Sequence, residues 1–145
     1  MAGISSYGAY IPMFRLPLGK PGGPERAVAS WDEDCVTMGV AAAMDCLRGY
    51  DRAAVDAVLF ASTSYAFKEK QAAAIVAKAL DLRRDVTTTD LGDSLRAGTT
   101  ALRMAGDMVR AGSARQVLVV ASDVRMAAPR SPLEAQLGDG AAAFL

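Results

Sequence analysis

Residues 86–112 run VTTTDLGDSLRAGTTALRMAGDMVRAG. The run reads as a buried strand from Val86, a tight turn containing Gly92, and a long helix whose first turn carries Ser94. Along that helix Ala97, Gly98, Ala101, Leu102, Ala105, Met108 and Val109 share one side, and Arg96, Arg103, Asp107 and Arg110 share the other. Small residues on the inner side predict a helix packed closely against its neighbours, with Gly112 as its stop. Such strand-turn-helix elements can aim a side chain at a substrate, because N–H groups at a helix N-terminus stabilise developing negative charge. Ser94 is therefore the first candidate site residue.

Working outward, Lys70 to Leu82 carries an apolar stripe of Ala72, Ile75, Val76, Ala79 and Leu80 at helical spacing. Before it, Val55–Ala61 is almost continuously apolar, which suits a strand covered on both faces. Ser62, Thr63, Ser64 and Tyr65 follow at its C-terminal end, where α/β folds place site residues as readily as ordinary loop residues. Downstream, Gln116–Ala121 (QVLVVA) is a third buried strand, followed by Ser122-Asp123. A loop with Pro129 and Pro132, a short amphipathic segment at 133–137 and the turn Gly138-Asp139-Gly140 then lead to a strand at 141–145.

Nearer the start, Ile4–Ile11 reads as the first strand, ended by Pro12, and the Pro- and Gly-rich run 15–29 as a surface loop. Trp31-Asp32-Glu33-Asp34 opens a helix whose free N–H groups Asp34 or Asp32 can cap. In it Val36, Val40, Ala43, Met44 and Leu47 mark the inner face, and Gly49 the stop. The acidic cluster is a solvated helix start rather than a metal site. The element order is β-α-β-α-β-α-β-β: an α/β fold with a mixed, mostly parallel sheet and helices on both faces.

Composition narrows the function. The 145 residues suit one domain, and sixteen basic against sixteen acidic residues leave no electrostatic footprint for nucleic acid. No apolar run approaches membrane-spanning length, and no secretory leader is read at the start, so a cytoplasmic protein is expected. Cys35 and Cys46 fall in one helix, too far apart to pair and without metal-ligand spacing. Histidine is absent, which removes any imidazole base and the commonest metal ligand from this chain. Neither GxGxxG nor GxxxxGK[ST] occurs after a strand. The expected cofactor set is empty.

Several blocks in order, Tyr7–Pro12 (YGAYIP), Trp31–Ala43 (WDEDCVTMGVAAA), the strand end Ala61–Ser64, the turn DLGDSLRAGTTAL, the strand VLVVASD and the terminal GDGAAAFL, together resemble the N-terminal half of the thiolase superfamily. The nearest branch is the hydroxymethylglutaryl-CoA synthase group, especially its archaeal and bacterial members. The resemblance implies one thiolase-like domain over 1–145, with a second half of similar size either elsewhere in a longer protein or on a partner chain. It implies condensation or cleavage of acyl-CoA thioesters, with a CoA thioester as substrate. The family's nucleophilic Cys falls on Ser94 and the synthase branch's Glu on Thr63, so both chemical groups are replaced.

A hydroxyl is a far weaker nucleophile than a thiolate unless a base activates it. Asp90 and Asp93 flank Ser94 in sequence, but a carboxylate is a poor base for a serine hydroxyl. Ser94 can therefore be a helix N-cap, a covalent nucleophile, or both; Thr63 can be a packing residue or a catalytic one. The leading expectation is an acyl-CoA-handling enzyme or enzyme half that makes or breaks a C–C bond without an acyl-Cys step. The alternative is a non-catalytic thiolase-like subunit that scaffolds a partner thiolase or a small Zn-ribbon/OB-fold protein. Exposed apolar sheet surface would favour a homo- or hetero-oligomer in either case.

Overall fold

The computed structural model describes residues 3–145. In chain order the elements are β1 (Tyr7–Tyr10), β2 (Phe14–Pro17), β3 (Glu25–Val28), α1 (Cys35–Cys46), a 3-10 turn (Arg52–Ala54), β4 (Ala57–Ala61), α2 (Ala72–Ala79), β5 (Thr87–Leu91), α3 (Ala97–Ala111), β6 (Val117–Asp123) and β7 (Gly140–Phe144). Five strands form one sheet in the order β1-β7-β6-β4-β5, and β2 and β3 form a separate hairpin. β4 pairs in parallel with β5 and β6, while β7 is antiparallel to both β6 and β1. Only β7 therefore runs against the common direction, which gives the mixed, mostly parallel sheet that the sequence implies.

β4 is buried along its whole length. Its alternation divides the core: Val58 and Phe60 face one layer with Leu118 and Val120, under α1 and α2. Ala57, Leu59 and Ala61 face the other with Val117 and Val119, under α3. Helices thus cover both faces. β5, expected as a buried strand, is instead a sheet edge with half-buried side chains, which explains why it is the polar TTTDL.

α1 begins where its acidic cluster indicated. Asp34 Oδ1 accepts the N–H groups of Val36 (2.9 Å) and Thr37 (2.8 Å), and Thr37 Oγ1 accepts Asp34 N–H at 2.8 Å, closing a capping box. Replacing Asp34 with alanine is expected to lower stability by about 1 kcal/mol, read as a shift in a urea unfolding curve, with serine at the same position restoring most of it. The buried face of α1 differs from the expected stripe: Met38, Gly39, Ala42 and Cys46 are buried while Met44 is half exposed. Gly39 admits the Phe60 ring, whose Cε2 would lie 2.8 Å from any Cβ there. Gly8 of β1 lies directly beneath the α1 backbone at Ala42 and Cys46. Gly49 and Gly112 both adopt the left-handed conformation after their helices, as their stop positions require.

The run 15–29 is not an irregular loop but the β2–β3 hairpin. Its strands carry no burial alternation, and β2 is exposed throughout, so no periodic signal marks it. Main-chain pairing from Phe14↔Val28 to Pro17↔Glu25 holds it, continued by Leu18 N–H to Pro24 O at 2.8 Å. Its inner strand is anchored by buried Asp139, which accepts Ala29 N–H at 2.8 Å and donates its own N–H to Ala27 O at 3.0 Å.

α3 covers β4 and β6 but leaves part of its own flank open. Leu102, Ala105 and Val109 line a groove with Val119 and Phe144 beside it, and Ile4 at its rim is largely exposed. The helix is central to the sheet face, as its small residues imply, yet only Ala97 and Ala101 of it are fully buried.

Candidate functional site

The register sets the site. Ala61, Leu91 and Ala121 stand level at the C-terminal ends of β4, β5 and β6, because Ala61 pairs with both Leu91 and Ala121. The residues that follow these strand ends must therefore converge. They do: Thr63, Ser64, Asp93, Ser94, Leu95, Val124, Arg125 and Met126 line one open cleft. The two candidates named from sequence, Ser94 and Thr63, share it.

Ser94 lies ahead of α3 rather than in its first turn. The helix starts at Ala97 with Arg96 as its capping residue, and Arg96 makes no side-chain cap. Ser94 Oγ accepts Arg96 N–H at 3.1 Å, and Ser94 O accepts Ala97 N–H at 3.0 Å, so Ser94 closes a local turn outside the helix instead of serving as its N-cap. Asp93 holds the left-handed conformation (φ 58°) that produces this turn. The serine is solvent-exposed, with a lone pair engaged by Arg96 and its hydroxyl proton free to donate.

The flanking acids have separate fates. Asp90 accepts Ala72 N–H and Ala73 N–H, both at 2.7 Å, one on each carboxylate oxygen, and so caps α2 rather than facing the cleft. Asp93 lines the cleft. Neither thiol lines the cleft: Cys35 and Cys46 are fully buried, and burial pushes both thiols above their ordinary range.

Thr63 belongs to a tight polar cluster centred on Asp123. Asp123 Oδ1 accepts Thr63 N–H (2.6 Å), Thr63 Oγ1 (3.0 Å), Ser64 Oγ (2.9 Å) and Ser62 Oγ (3.0 Å). Ser64 Oγ in turn accepts Val124 N–H at 2.9 Å. Arg125 Nη1 donates to Thr63 Oγ1 at 2.9 Å, so the threonine hydroxyl bridges a guanidinium and a carboxylate. With its proton held by Asp123, that hydroxyl orients Arg125. Tyr65, from the same polar run, is structural: its hydroxyl donates to Phe60 O (3.1 Å) and Leu91 O (2.9 Å), tying the ends of β4 and β5. Its ring lies against Gly92, where a Cβ would come within 2.8 Å of it. Burial pushes the Tyr65 phenol well up from its ordinary range, which keeps it neutral.

Asp123, Arg125 and Asp139 were not singled out from sequence. The signal for Asp123 was present: a carboxylate placed just past one strand and a hydroxyl run just past its parallel neighbour. Asp139 lay hidden in a turn motif, and Arg125 in a loop. Asp139 Oδ1 accepts Arg125 N–H at 2.7 Å, and Arg26 Nη2 donates to Arg125 O at 3.0 Å, so the hairpin and the turn before β7 brace the cleft's arginine from behind. Among the described residues no cluster of three or more His, Cys, Asp or Glu side chains could hold a metal ion, and no helix is long and apolar enough to cross a membrane.

A five-stranded sheet between helical layers, with a strand-turn-helix at the level strand ends, is a thiolase-like fold. Residues 26–145 match the family of chalcone and stilbene synthases, N-terminal domain, and the chain belongs to that family. The hydroxymethylglutaryl-CoA synthase of Aeropyrum pernix is 36% identical over 160 residues, covering 99% of this chain and 44% of the relative. That of Methanocaldococcus jannaschii is 34% identical over 165 residues, covering all of this chain and 47% of the relative. The chain thus spans less than half the length of these curated relatives. Among solved structures, β-ketoacyl-[acyl carrier protein] synthase III from Thermus thermophilus superposes with a TM-score of 0.84 at 28% identity, over 99% of this chain and half of that one. MvaS in complex with 3-hydroxy-3-methylglutaryl coenzyme A gives a TM-score of 0.89 at 24% identity, over 98% of this chain and 38% of that one, a likeness of fold.

Proposed function

We propose that this chain is the N-terminal thiolase-like domain of an acyl-CoA-handling enzyme of the hydroxymethylglutaryl-CoA synthase type. It would make or break a C–C bond on a CoA thioester without forming an acyl-cysteine. The observation that carries this reading is the cleft at the level strand ends, which brings Ser94, Thr63 and Arg125 together while both thiols stay buried in the core. The relatives named as hydroxymethylglutaryl-CoA synthases support the substrate class.

In this reading Ser94 is a hydrogen-bond donor to the thioester or enolate oxygen rather than a nucleophile. Its oxygen is already engaged by Arg96 N–H, no imidazole exists in the chain, and Asp90 is committed to α2. A preorganised donor aimed at developing negative charge lowers the barrier to enolate formation or retro-aldol cleavage without a covalent intermediate. Thr63 is a positioning residue, holding Arg125 against the cleft.

Ser94→Ala is accordingly expected to lower turnover by about a hundredfold, the low end for the loss of one oxyanion donor. Mass spectrometry after incubation with acetyl-CoA should find no acyl group on Ser94. A stable acyl adduct there would decide for covalent catalysis.

The second half of the fold, a homo- or hetero-oligomeric state, a cytoplasmic location and any Zn-ribbon/OB-fold partner belong to the same proposal. The exposed apolar groove beside α3 supports association. The scaffold alternative is the less favoured reading, because the cleft retains an organised set of charged and hydroxyl groups that mere scaffolding would not require. The test is calorimetric titration of the protein, expressed from its complete gene, with acetyl-CoA, followed by an assay for C–C bond formation or cleavage. Binding and turnover support an enzyme; binding or association without turnover in any complex would leave the scaffold.

A further inference from the structure

We propose that Asp93 is the acid-base catalyst of this cleft, moving one proton between the substrate and its own carboxylate; this rests on the acyl-CoA reading above. Making or breaking a C–C bond beside a thioester needs a proton acceptor, and Ser94, assigned as a donor, does not supply one. Of the eight residues lining the cleft, Asp93 alone carries a group with the chemistry of a general base. The hydroxyls of Thr63, Ser64 and Ser94 are too weakly basic, and Arg125 is permanently charged. Among the described residues the Asp93 carboxylate makes no hydrogen bond and no ion pair. The acids around it are engaged: Asp90 holds two N–H groups of α2, and Asp123 holds the hydroxyls and amide at the end of β4.

The turn alone does not ask for this residue. Asp93 holds φ 58°, a left-handed conformation that Asn tolerates as Asp does and Gly adopts more easily. The hydrogen bonds that close the turn run from Arg96 and Ala97 to Ser94 and involve no Asp93 atom. What Asp adds over Asn or Gly is an unpaired carboxylate in an open cleft, next to Ser94 and in the same lining as Arg125. In condensation the carboxylate takes a proton from the carbon beside the thioester, and the thioester π pair moves onto oxygen, where the Ser94 hydroxyl donates. The enolate carbon then attacks the carbonyl of a ketone or aldehyde, and the new alkoxide takes the proton back from Asp93. Cleavage is the reverse: the β-hydroxyl gives its proton to Asp93, the breaking C–C pair enters the enolate, and Asp93 returns the proton to carbon. The Arg125 guanidinium adds a fixed positive charge that favours the enolate.

The experiment follows exchange of the acetyl-CoA methyl protons for deuterium by NMR, using the protein expressed from its complete gene and its Asp93→Asn and Asp93→Gly variants. Calorimetric titration gives the affinity for acetyl-CoA, and circular dichroism checks folding. Asp93→Asn keeps the shape of the side chain and removes the base, so exchange should slow by about a hundredfold or more. Its affinity for acetyl-CoA should stay within about twofold of the unchanged protein. Added formate should restore part of the exchange in Asp93→Gly, where the missing side chain leaves room for it. Exchange in Asp93→Asn within about threefold of the unchanged rate overturns the proposal, leaving Asp93 as a turn residue with the base outside this cleft. So does a loss of exchange matched by an equal loss of affinity, which would make the carboxylate a binding group, or a loss that formate does not restore in Asp93→Gly. An unchanged protein that binds acetyl-CoA without exchanging its protons overturns the proposal and leaves the acyl-CoA reading standing. Failure to bind acetyl-CoA removes both.

Discussion

Replacing Asp123 with alanine should destabilise the fold by about 3 kcal/mol and, in the acyl-CoA reading proposed above, reduce turnover on a CoA thioester by about a hundredfold or more. The size follows from the count of groups that depend on one oxygen. Ser62, Thr63 and Ser64 all direct donors at Oδ1, and removing it leaves them unpartnered in a partly buried cluster where each lost bond is costly. The functional loss has a separate route. Without Asp123 the Thr63 hydroxyl is free to rotate, and Arg125 loses the acceptor that aims it. Asp123→Asn tests this route, since the amide oxygen can still accept from Thr63 and the serines. It should unfold at nearly the unchanged denaturant concentration and keep most of the turnover that Asp123→Ala loses. If Asp123→Ala kept full activity, the cluster would have no part in the chemistry.

Gly8→Ala is expected to cost about 3 kcal/mol or more, and to lower the midpoint of chemical unfolding accordingly. A methyl group at Gly8 would sit inside the van der Waals envelope of the α1 backbone at Cys46 N and Ala42 O, with Cys46 Cα 2.9 Å away. The offending atoms are main-chain atoms in the last turn of a hydrogen-bonded helix, so no rotamer change relieves the clash. The helix must lift from β1, or β1 must move off β7, to which Gly8 is paired through Ala143. A loss below about 1 kcal/mol would mean that α1 and β1 are not packed as described.

Most of the framework could be read from the chain because its signals are local or periodic. β4 and the first five residues of β6 are continuous apolar runs, and Asp34, Gly49 and Gly112 mark helix ends by capping chemistry that acts within a few residues. The β2–β3 hairpin escaped because nothing in it alternates: its strands lie on the surface, and its position depends on Asp139, more than a hundred residues away. The site was half legible for the same reason. Ser94 and Thr63 stand at strand ends and could be named, but the groups that fix Thr63 arrive from another strand. Local spacing also placed Ser94 inside the helix, because it carries no record of the left-handed kink at Asp93 that delays the first helical turn.

In the assembly proposed above, the open flank of α3 would tie the stability of this chain to its company. A surface that closed the groove between Leu102, Val109 and Phe144 would bind the folded state and not the unfolded one, so its association free energy would add directly to the free energy of folding. A melting temperature measured on this chain would then be a function of concentration as well as of sequence, and a substitution at the groove would be felt first as weaker assembly.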